Sequence, residues 1–417
     1  MSTIQTITET KSQALTLPFQ LKSNPTESNP NIIPGKLRFI IDNEWYDITT
    51  WQSQHPGGTD ILQYLNGQDA TDAFYSLHSR DAINRLKRMY STPVKQNNTP
   101  SELIEFRQFR QSLINDGWFK RNILWEIFYL GSIYVLSILG TYLSCIGYPI
   151  PAMLCIGIAM QQSGWIGHDY VHGRGTGCWY AGRITGSLIN GFSSEWWSSK
   201  HNTHHCYTNY LGVDDDIANE PIFHLFTPVT TNDVKFRRYQ HLYMIPVYSF
   251  LYVSWRIQSL QYAYKHSNIG EMSLILLNYI WLCTLPTVVS IGSILIGGLA
   301  VAIIVTASHQ SEQMFDSNEL SSSTTYNFVR CQFESTRDAI CENAVVEWLW
   351  GGMQYQLEHH LFPTMPKYRY ASLRPLVEKW AKQNNLPYKS ESANKIIVRN
   401  YQTLKMYAHA NPVTTTA

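Results

Sequence analysis

The chain reads as an α-helical membrane protein with four transmembrane helices and a histidine-rich cytosolic cap, preceded by a small α+β domain. Three observations carry that reading: apolar runs between residues 123 and 306, a lopsided distribution of Lys and Arg, and seven histidines gathered in three short clusters. The 417 residues are enough for more than one domain. Charged residues make up 15% of the chain and aromatics 13%, with 13 Trp and 26 Tyr, a balance that fits a membrane protein with polar domains. A formal net charge of +1 gives no electrostatic case for nucleic acid. The seven cysteines show no framework spacing and read as unpaired thiols of a reducing compartment.

Residues 1–34 are rich in Ser, Thr, Asn and Pro and lack a long apolar run, so they read as a disordered tail and not as a secretory signal. Residues 35–92 form the small domain. Arg38–Ile41 and Glu44–Ile48 alternate around Asp42-Asn43, which is a hairpin signal. His55-Pro56-Gly57-Gly58 and polar, helix-like stretches come next. Residues 93–122 combine a linker with an amphipathic helix. Ser91–Pro100 has linker composition, and Thr99-Pro100-Ser101-Glu102 reads as a capping box with Pro at the first helical position. The helix has Leu103, Phe106, Phe109 and Leu113 as its apolar positions and stops at Gly117.

Residues 123–385 form the membrane domain, and 386–417 a C-terminal tail. Ile123–Leu143 is apolar apart from Glu126, and Tyr148–Gly167 is a second, less pure run. Ser273–Thr306 is long enough for two spans with a turn over Pro286–Ser293. Leu242–Val253 is apolar but short, and reads as an interfacial or buried helix. No Lys or Arg occurs between Arg121 and Arg174, and none between Lys265 and Arg330. Two hairpins of spans therefore leave every basic residue on one side, which the positive-inside rule makes cytosolic. Both termini and all three histidine clusters fall on that same side.

The clusters are His168-Asp169-Tyr170-Val171-His172, His201-Asn202-Thr203-His204-His205 and Gln356-Leu357-Glu358-His359-His360. Spacings of three or four, counted from Gln356 in the third, put the side chains on one helix face. Neutral imidazole is a common ligand for iron, zinc and copper. Seven nitrogens are too many for one tetrahedral zinc and suit two metals. Asp169, Asp214, Asp215 and Asp216 are candidates for orienting imidazole N–H groups. Trp196 and Trp197 fit either a substrate tunnel or the membrane interface. His224, His241, His266 and His409 fit no motif and read as ordinary histidines.

His55-Pro56-Gly57-Gly58, Gly67-Gln68-Asp69-Ala70-Thr71-Asp72-Ala73-Phe74 and Leu77-His78-Ser79 closely resemble cytochrome b5. That resemblance makes His55 and His78 the axial ligands of a haem b, six-coordinate and suited to electron transfer. With the three clusters and the spans, the chain resembles the cytochrome b5-fused front-end fatty acyl desaturases over residues 35 to about 385. Gln356 in place of a first histidine marks that group. Trp350-Gly351-Gly352-Met353-Gln354-Tyr355 before it, and Trp196-Trp197 with Lys200 before the second cluster, look like its animal-type members, the Δ5/Δ6 group. The resemblance implies two non-haem irons held by His168, His172, His201, His204, His205, His359 and His360, with His309 in Ala307-Ser308-His309-Gln310 as a further ligand. Gln356 is open between a weak ligand and a hydrogen-bond partner of the site. The implied reaction uses O2 and electrons from the fused haem domain to place a cis double bond, Δ6 or Δ5, in a polyunsaturated acyl chain. The implied substrate is a membrane lipid or acyl-CoA, the electron donor an NADH-cytochrome b5 reductase, and the place the endoplasmic reticulum membrane. A sphingolipid long-chain-base Δ8 desaturase, a lipid hydroxylase, and a membrane-anchored haem electron carrier without the oxidase chemistry are the alternatives.

Overall fold

The computed structural model describes residues 31–55, 59–95, 99–173, 175–217, 219–316 and 326–412. Residues 1–30 of the expected tail lie outside the described residues, as do Pro56, Gly57 and Gly58.

The first unit opens with the hairpin. β1 (Arg38–Ile41) and β2 (Glu44–Asp47) pair antiparallel with Ile41 opposite Glu44. Asp42 and Asn43 take φ of 51° and 64°, the left-handed conformations that a two-residue hairpin turn needs and that Asp and Asn tolerate. Three short helices follow, α1 (Asp60–Tyr64), α2 (Thr71–Leu77) and α3 (Arg80–Leu86). β3 (Ser91–Pro93) then returns to pair with β2, so the segment with linker composition begins with a strand.

α4 (Ser101–Asn115) buries Leu103, Phe106 and Leu113 as the sequence pattern requires. The expected capping box does not form. Pro100 stands at the N-cap with no side-chain cap, and Glu102 reaches instead to Asn327 (2.7 Å) and Arg330 (2.9 Å). A tertiary partner has displaced the local one. The helix does stop at Gly117: its φ is +77°, and the Trp118 N–H turns back to the Leu113 carbonyl. Arg107 forks onto Asp72 (2.8 and 3.0 Å) and touches Asp69 (3.2 Å), tying α4 to the first unit.

The larger unit is helical: α5 (Ile123–Cys145), α6 (Pro149–His172), α7 (Thr176–Arg183) running into a π-helix (Ile184–Asn190), and α8 (Ser194–Cys206). β4 (Tyr210–Leu211), α9 (Gln240–Ser249), α10 (Leu251–Lys265), α11 (Ile269–Cys283) and α12 (Thr287–Ala307) come next. The chain closes with β5 (Phe315–Asp316), α13 (Phe328–Ser335), β6 (Asp338–Ile340), α14 (Ala344–Trp350), α15 (Gln356–Leu361), α16 (Tyr370–Gln383), β7 (Ser390–Ser392) and α17 (Ala393–Ala408). The segment from 386, expected as a tail, folds: β7 pairs parallel with β6, and Ile396 and Leu404 of α17 are fully buried.

Among the described residues, α5 and α12 are long and apolar enough to cross a membrane. α6 has 24 residues but carries Gln161, Gln162, His168 and Asp169, and α11 is apolar with 15 residues. The turn between α11 and α12 falls at residues 284–286, earlier than expected, because Pro286 precedes the first helical residue, and that place suits its fixed φ. Many large apolar side chains of this bundle face outward, among them Ile127, Val135 and Ile138 of α5 and Leu276 and Ile280 of α11. An exposed apolar face of this size is a membrane or partner surface. Inside, small residues let the helices close up. A Cβ at Gly140 would lie 2.5 Å from Ile156 Cγ1, and one at Gly157 2.8 Å from Ile296 Cγ2, so α6 packs tightly on α5 and α12. Glu126, the one charge in the first apolar run, receives Tyr170 OH (2.5 Å), Tyr368 OH (3.2 Å) and Arg121 (3.2 Å).

Candidate metal centre

All three clusters sit on helices, as their spacing requires. The first is the C-terminal end of α6, the second fills the last turns of α8, and the third is α15. The structure brings all seven cluster histidines and His309 together, every one of them buried. They divide into two groups. His168, His172, His201, His205 and His359 offer ring nitrogens within 4.8 Å of one another, and so do His204, His309 and His360. His168 Nε2 and His201 Nε2 are 2.7 Å apart, and His205 Nε2 and His201 Nε2 are 3.1 Å apart. Two nitrogens bound at about 2.0–2.1 Å and at right angles to one metal would stand ~3 Å apart. The Gln356 amide meets His309 Nε2 at 2.6 Å, so it borders the three-histidine group.

The other ring nitrogens are tied down. His204 Nδ1 faces Asp214 and His201 Nδ1 faces Asp216, each at 2.8 Å. His360 Nδ1 faces Gln332 Oε1 at 2.8 Å, His309 Nδ1 the Ser335 carbonyl at 3.1 Å, and His359 Nδ1 the Tyr370 hydroxyl at 3.3 Å. A proton held on Nδ1 by an acceptor leaves Nε2 with its lone pair for a metal. Among the described residues, His359 Nε2 and His360 Nε2 are buried with no hydrogen-bond partner. Buried donors and acceptors are normally paired, so these orphans fit a metal and not a packed polar core. Burial, and then the neighbouring imidazoles, holds His205, His309, His359 and His360 well below the ordinary histidine range. Burial also lowers His201, against the pull of Asp216. In His204 burial is outweighed by the Asp214 carboxylate, which raises the ring.

Of the four aspartates singled out by sequence, Asp214 and Asp216 orient histidines. Asp215 is exposed. Asp169 turns away from the rings and binds Arg121 (2.7 Å) and the Lys367 N–H (2.9 Å). Sequence reading missed Gln332, Ser335 and Tyr370. Gln332 had a signal: it lies between Val329 and Phe333 on the buried face of α13, where an amide needs a partner. Also missed was the pairing of Glu358 with Asp338, both bonded by Tyr388 OH (3.0 and 2.7 Å). Burial raises both carboxyls, and Asp338, which accepts from the Leu357 N–H at 2.9 Å, anchors α15 from behind. His266 is exposed, and His224, His241 and His409 stand outside both groups.

A cavity of about 170 Å³ opens onto both groups, its wall including His168, His201, His204, His309 and Gln356. The rest is mainly apolar and aromatic, with Trp165, Phe192, Trp197, Leu251, Trp255, Val301 and Val305. Trp197 lines the cavity and stacks on His201 at 4.8 Å, while Trp196 is buried against Trp255.

In the first unit, the His55 and His78 rings lie 5.9 Å apart between centroids. Two metal–nitrogen bonds of about 2.0 Å plus the two ring radii span about 6 Å, so the pair fits an axial ligand set. His78 Nδ1 donates to the Phe74 carbonyl at 3.0 Å, which keeps Nε2 unprotonated. This unit is docked on the histidine centre. Tyr207, next after the second cluster's helix, donates to the Ile61 carbonyl at 2.5 Å, and Ser76 Oγ donates to the Leu361 carbonyl at 3.3 Å, one residue beyond His360.

Residues 144–392 match the family model described as fatty acid desaturase, and residues 29–111 match the cytochrome b5-like haem/steroid binding domain. The chain belongs to the fatty acid desaturase family. Among its relatives is the Delta(6)-fatty-acid desaturase fat-3 of Caenorhabditis elegans, 31% identical over 89% of this chain and 96% of that protein. The Delta(5) fatty acid desaturase fat-4 of the same organism is 30% identical over 84% of this chain and 90% of its own. The Delta(8)-fatty-acid desaturase 1 of Arabidopsis thaliana is 27% identical over 91% of this chain and 92% of its own. This desaturase is thus an oxidoreductase with a fused electron-transfer unit whose family match supports haem, acting on a lipid substrate.

Gly351 tests how tightly the third cluster is held. It ends α14 with φ +62°, and a Cβ there would lie 2.1 Å from Trp165 Cδ1, three residues before His168. Gly351→Ala combines a left-handed L-residue, costing about 1–2 kcal/mol, with an overpacked indole. The expected outcome is a midpoint of thermal unfolding in detergent several degrees below wild type, and an unshifted midpoint would show that α14 moves freely.

Proposed function

We propose that this chain is a front-end desaturase that places a cis double bond, Δ6 or Δ5, in polyunsaturated acyl chains. The observation that carries the reading is the docking of a haem-type unit onto an eight-histidine centre that opens into an apolar cavity. The Δ6 and Δ5 names of the two nematode relatives support the position of the new bond. Two non-haem irons are assigned to the two histidine groups: His168, His172, His201, His205 and His359 to one, and His204, His309 and His360 to the other, with Gln356 beside it. Haem b is assigned to His55 and His78, with an NADH-cytochrome b5 reductase as its donor. When bound, the irons supply the oxidising power, from O2, that breaking an unactivated methylene C–H bond requires.

The protein's own part is to hold, orient and exclude. Asp214, Asp216, Gln332, Ser335 and Tyr370 fix five rings with Nε2 inward. The aromatic wall aligns a chain and keeps bulk water from the centre. Tyr207 and Ser76 hold the electron carrier against the ends of the second and third clusters, which gives it an effective concentration that a free carrier lacks.

We further place the protein in the endoplasmic reticulum membrane with α5, α6, α11 and α12 as four spans and the termini and histidine centre in the cytosol. The Lys- and Arg-free segments and the outward apolar faces of α5 and α11 support this. Glycosylation acceptor sites inserted at 146–148 and 284–286 are then expected to be modified and sites at 215 or after 366 unmodified. Modification at 215 would break the shared-face arrangement.

Expression in yeast fed linoleate and other polyunsaturated acids, with the new double bond located by mass spectrometry, tests the activity. A Δ6 or Δ5 product is expected, whereas a Δ8 long-chain base or a hydroxylated product would replace the reading. The metal assignment has its own test. Gln332→Leu removes the acceptor that orients His360, and loss of such a partner costs roughly 10- to 100-fold in metal affinity. Iron retained per purified chain under a chelator challenge should fall well below wild type, and further still in His360→Ala. Equal iron in all three would remove the assignment.

A further inference from the structure

One polar pair stands out on the cavity wall. Asn190 ends the π-helix and is 1% exposed; Tyr252 of α10 is fully buried beside it. Asn190 is placed by groups other than its own side chain. Asn278 of α11 donates to the Leu188 and Ile189 carbonyls (3.1 and 2.8 Å), and Arg256 in turn donates to Asn278 Oδ1 at 2.9 Å. The next residue, Gly191, has φ +76°, and a Cβ there would lie 2.3 Å from Arg256 Nη1. The backbone that carries Asn190 is thus clamped. A π-helix is itself a rare conformation that concentrates at functional sites.

The side chain is poorly satisfied. Asn190 Nδ2 reaches the Tyr252 hydroxyl at 3.4 Å, and that hydroxyl reaches the Met160 carbonyl at 3.3 Å, both long. Among the described residues no donor meets Asn190 Oδ1. Of the other polar groups on the same wall, Ser163 donates to the Thr185 carbonyl at 2.7 Å and Gln310 Oε1 accepts from Asn400 at 2.9 Å, while the Trp197 indole N–H, a donor and not an acceptor, is also unmatched among the described residues. A rigidly placed, buried carbonyl oxygen on a cavity wall with no donor is a position for a ligand group.

Its depth says which group. A Cβ on Gly164 would lie 3.2 Å from Asn190 Nδ2 and 3.0 Å from Tyr252 OH. Gly164 is one turn before His168 on α6, about 6 Å along the axis. The pair therefore lies deeper than the histidines, on the methyl side of the reacting carbons when the carboxyl end points to the cytosol. There a methylene-interrupted polyene presents its next double bond and the methylene between two double bonds, whose C–H bonds are polarised. We propose that Asn190, backed by Tyr252, is a specificity-determining residue that reads the existing unsaturation of the acyl chain through C–H···O interactions with Oδ1. This rests on the desaturase reading and names the substrate feature that the same site selects. A site built around such an acceptor discriminates against a chain that cannot fill it.

The test is competition in yeast between equal amounts of fed linoleate and oleate, read as the ratio of their desaturated products, which is independent of enzyme amount. Wild type should favour linoleate. In Asn190→Leu the ratio should fall about two- to five-fold, the effect expected of a single weak C–H···O interaction, and Tyr252→Phe should lower it in the same direction. Asn278→Ala, which loosens the clamp that fixes Asn190, should lower the ratio as well as the total product. An unchanged ratio in an active Asn190→Leu overturns the proposal, and so does an equal loss of both products. If Asn190→Leu does not accumulate, Tyr252→Phe decides by the same ratio. Preference of the wild type for 12-hydroxyoleate over linoleate also overturns it, in favour of a hydroxyl donor. A wild type that desaturates no fed acid instead sinks the desaturase reading, and this proposal with it.

Discussion

Eight imidazoles buried around one interior space must each turn the right nitrogen inward, and only His201 and His204 have a carboxylate against the ring. Elsewhere a charged ring would cost desolvation without a counter-ion, and a wrongly turned one would leave a donor facing a donor. The cap is organised to meet that demand. Five of the eight rings have Nδ1 on an acceptor supplied from elsewhere in the chain: the loop after α8, the helix α13 and the start of α16. None of those acceptors lies inside a histidine cluster. The clusters provide the rings, and the distant elements decide which nitrogens face inward.

The same demand explains how the two units meet. α8 and α15 carry five of the eight rings, the other three being His168 and His172 on α6 and His309 after α12. Short helices are marginal alone and take their stability from packing. Here part of that packing is the haem-type unit. Its Ile61 carbonyl accepts from Tyr207 at the end of α8, and its Ser76 donates to Leu361 at the end of α15. The core that holds Leu65 and Leu77 of the first unit continues into Leu357, Leu361 and Phe362 of the third cluster. The haem-type unit and the histidine centre therefore share one core.

How much of this is legible in the sequence follows from range. The hairpin, the stop at Gly117 and the helical clusters are set by local rules of turn, cap and periodicity, and they appear where those rules put them; the His55–His78 pair is implied by the cytochrome b5 resemblance alone, and the two rings lie 5.9 Å apart. The N-cap of α4 departs from its local pattern because Asn327 and Arg330, more than 200 residues away, take the side chain that a capping box would use. The turn at 284–286 is blurred in the sequence because one apolar run covers both helices and only Pro286 punctuates it. α17 has the polar composition of a tail, yet Ile396, Asn400, Leu404 and Ala408 recur every four residues, a stripe that α9 and α12 cover. Gln332, Ser335 and Tyr370 carry no motif, and only the fold shows that each sits behind a ring.

The cavity wall joins the membrane problem to the catalytic one. An acyl chain needs an apolar, smooth lining, yet irregular backbone in a membrane-embedded bundle must have its freed carbonyls satisfied from within the protein. The π-helix beside the cavity leaves such carbonyls at Leu188 and Ile189, and a single asparagine from α11 meets both. Arg256 then orients that asparagine while its own guanidinium lies against Phe192 and Tyr279. Of these two rings, Phe192 faces the cavity. The arrangement allows a bend in the wall, close to the histidines, without exposing unpaired backbone to lipid or to substrate. A regular α-helix over residues 184–190 would remove the need for Asn278 and Arg256, and with it the fixed position of Asn190 on the wall.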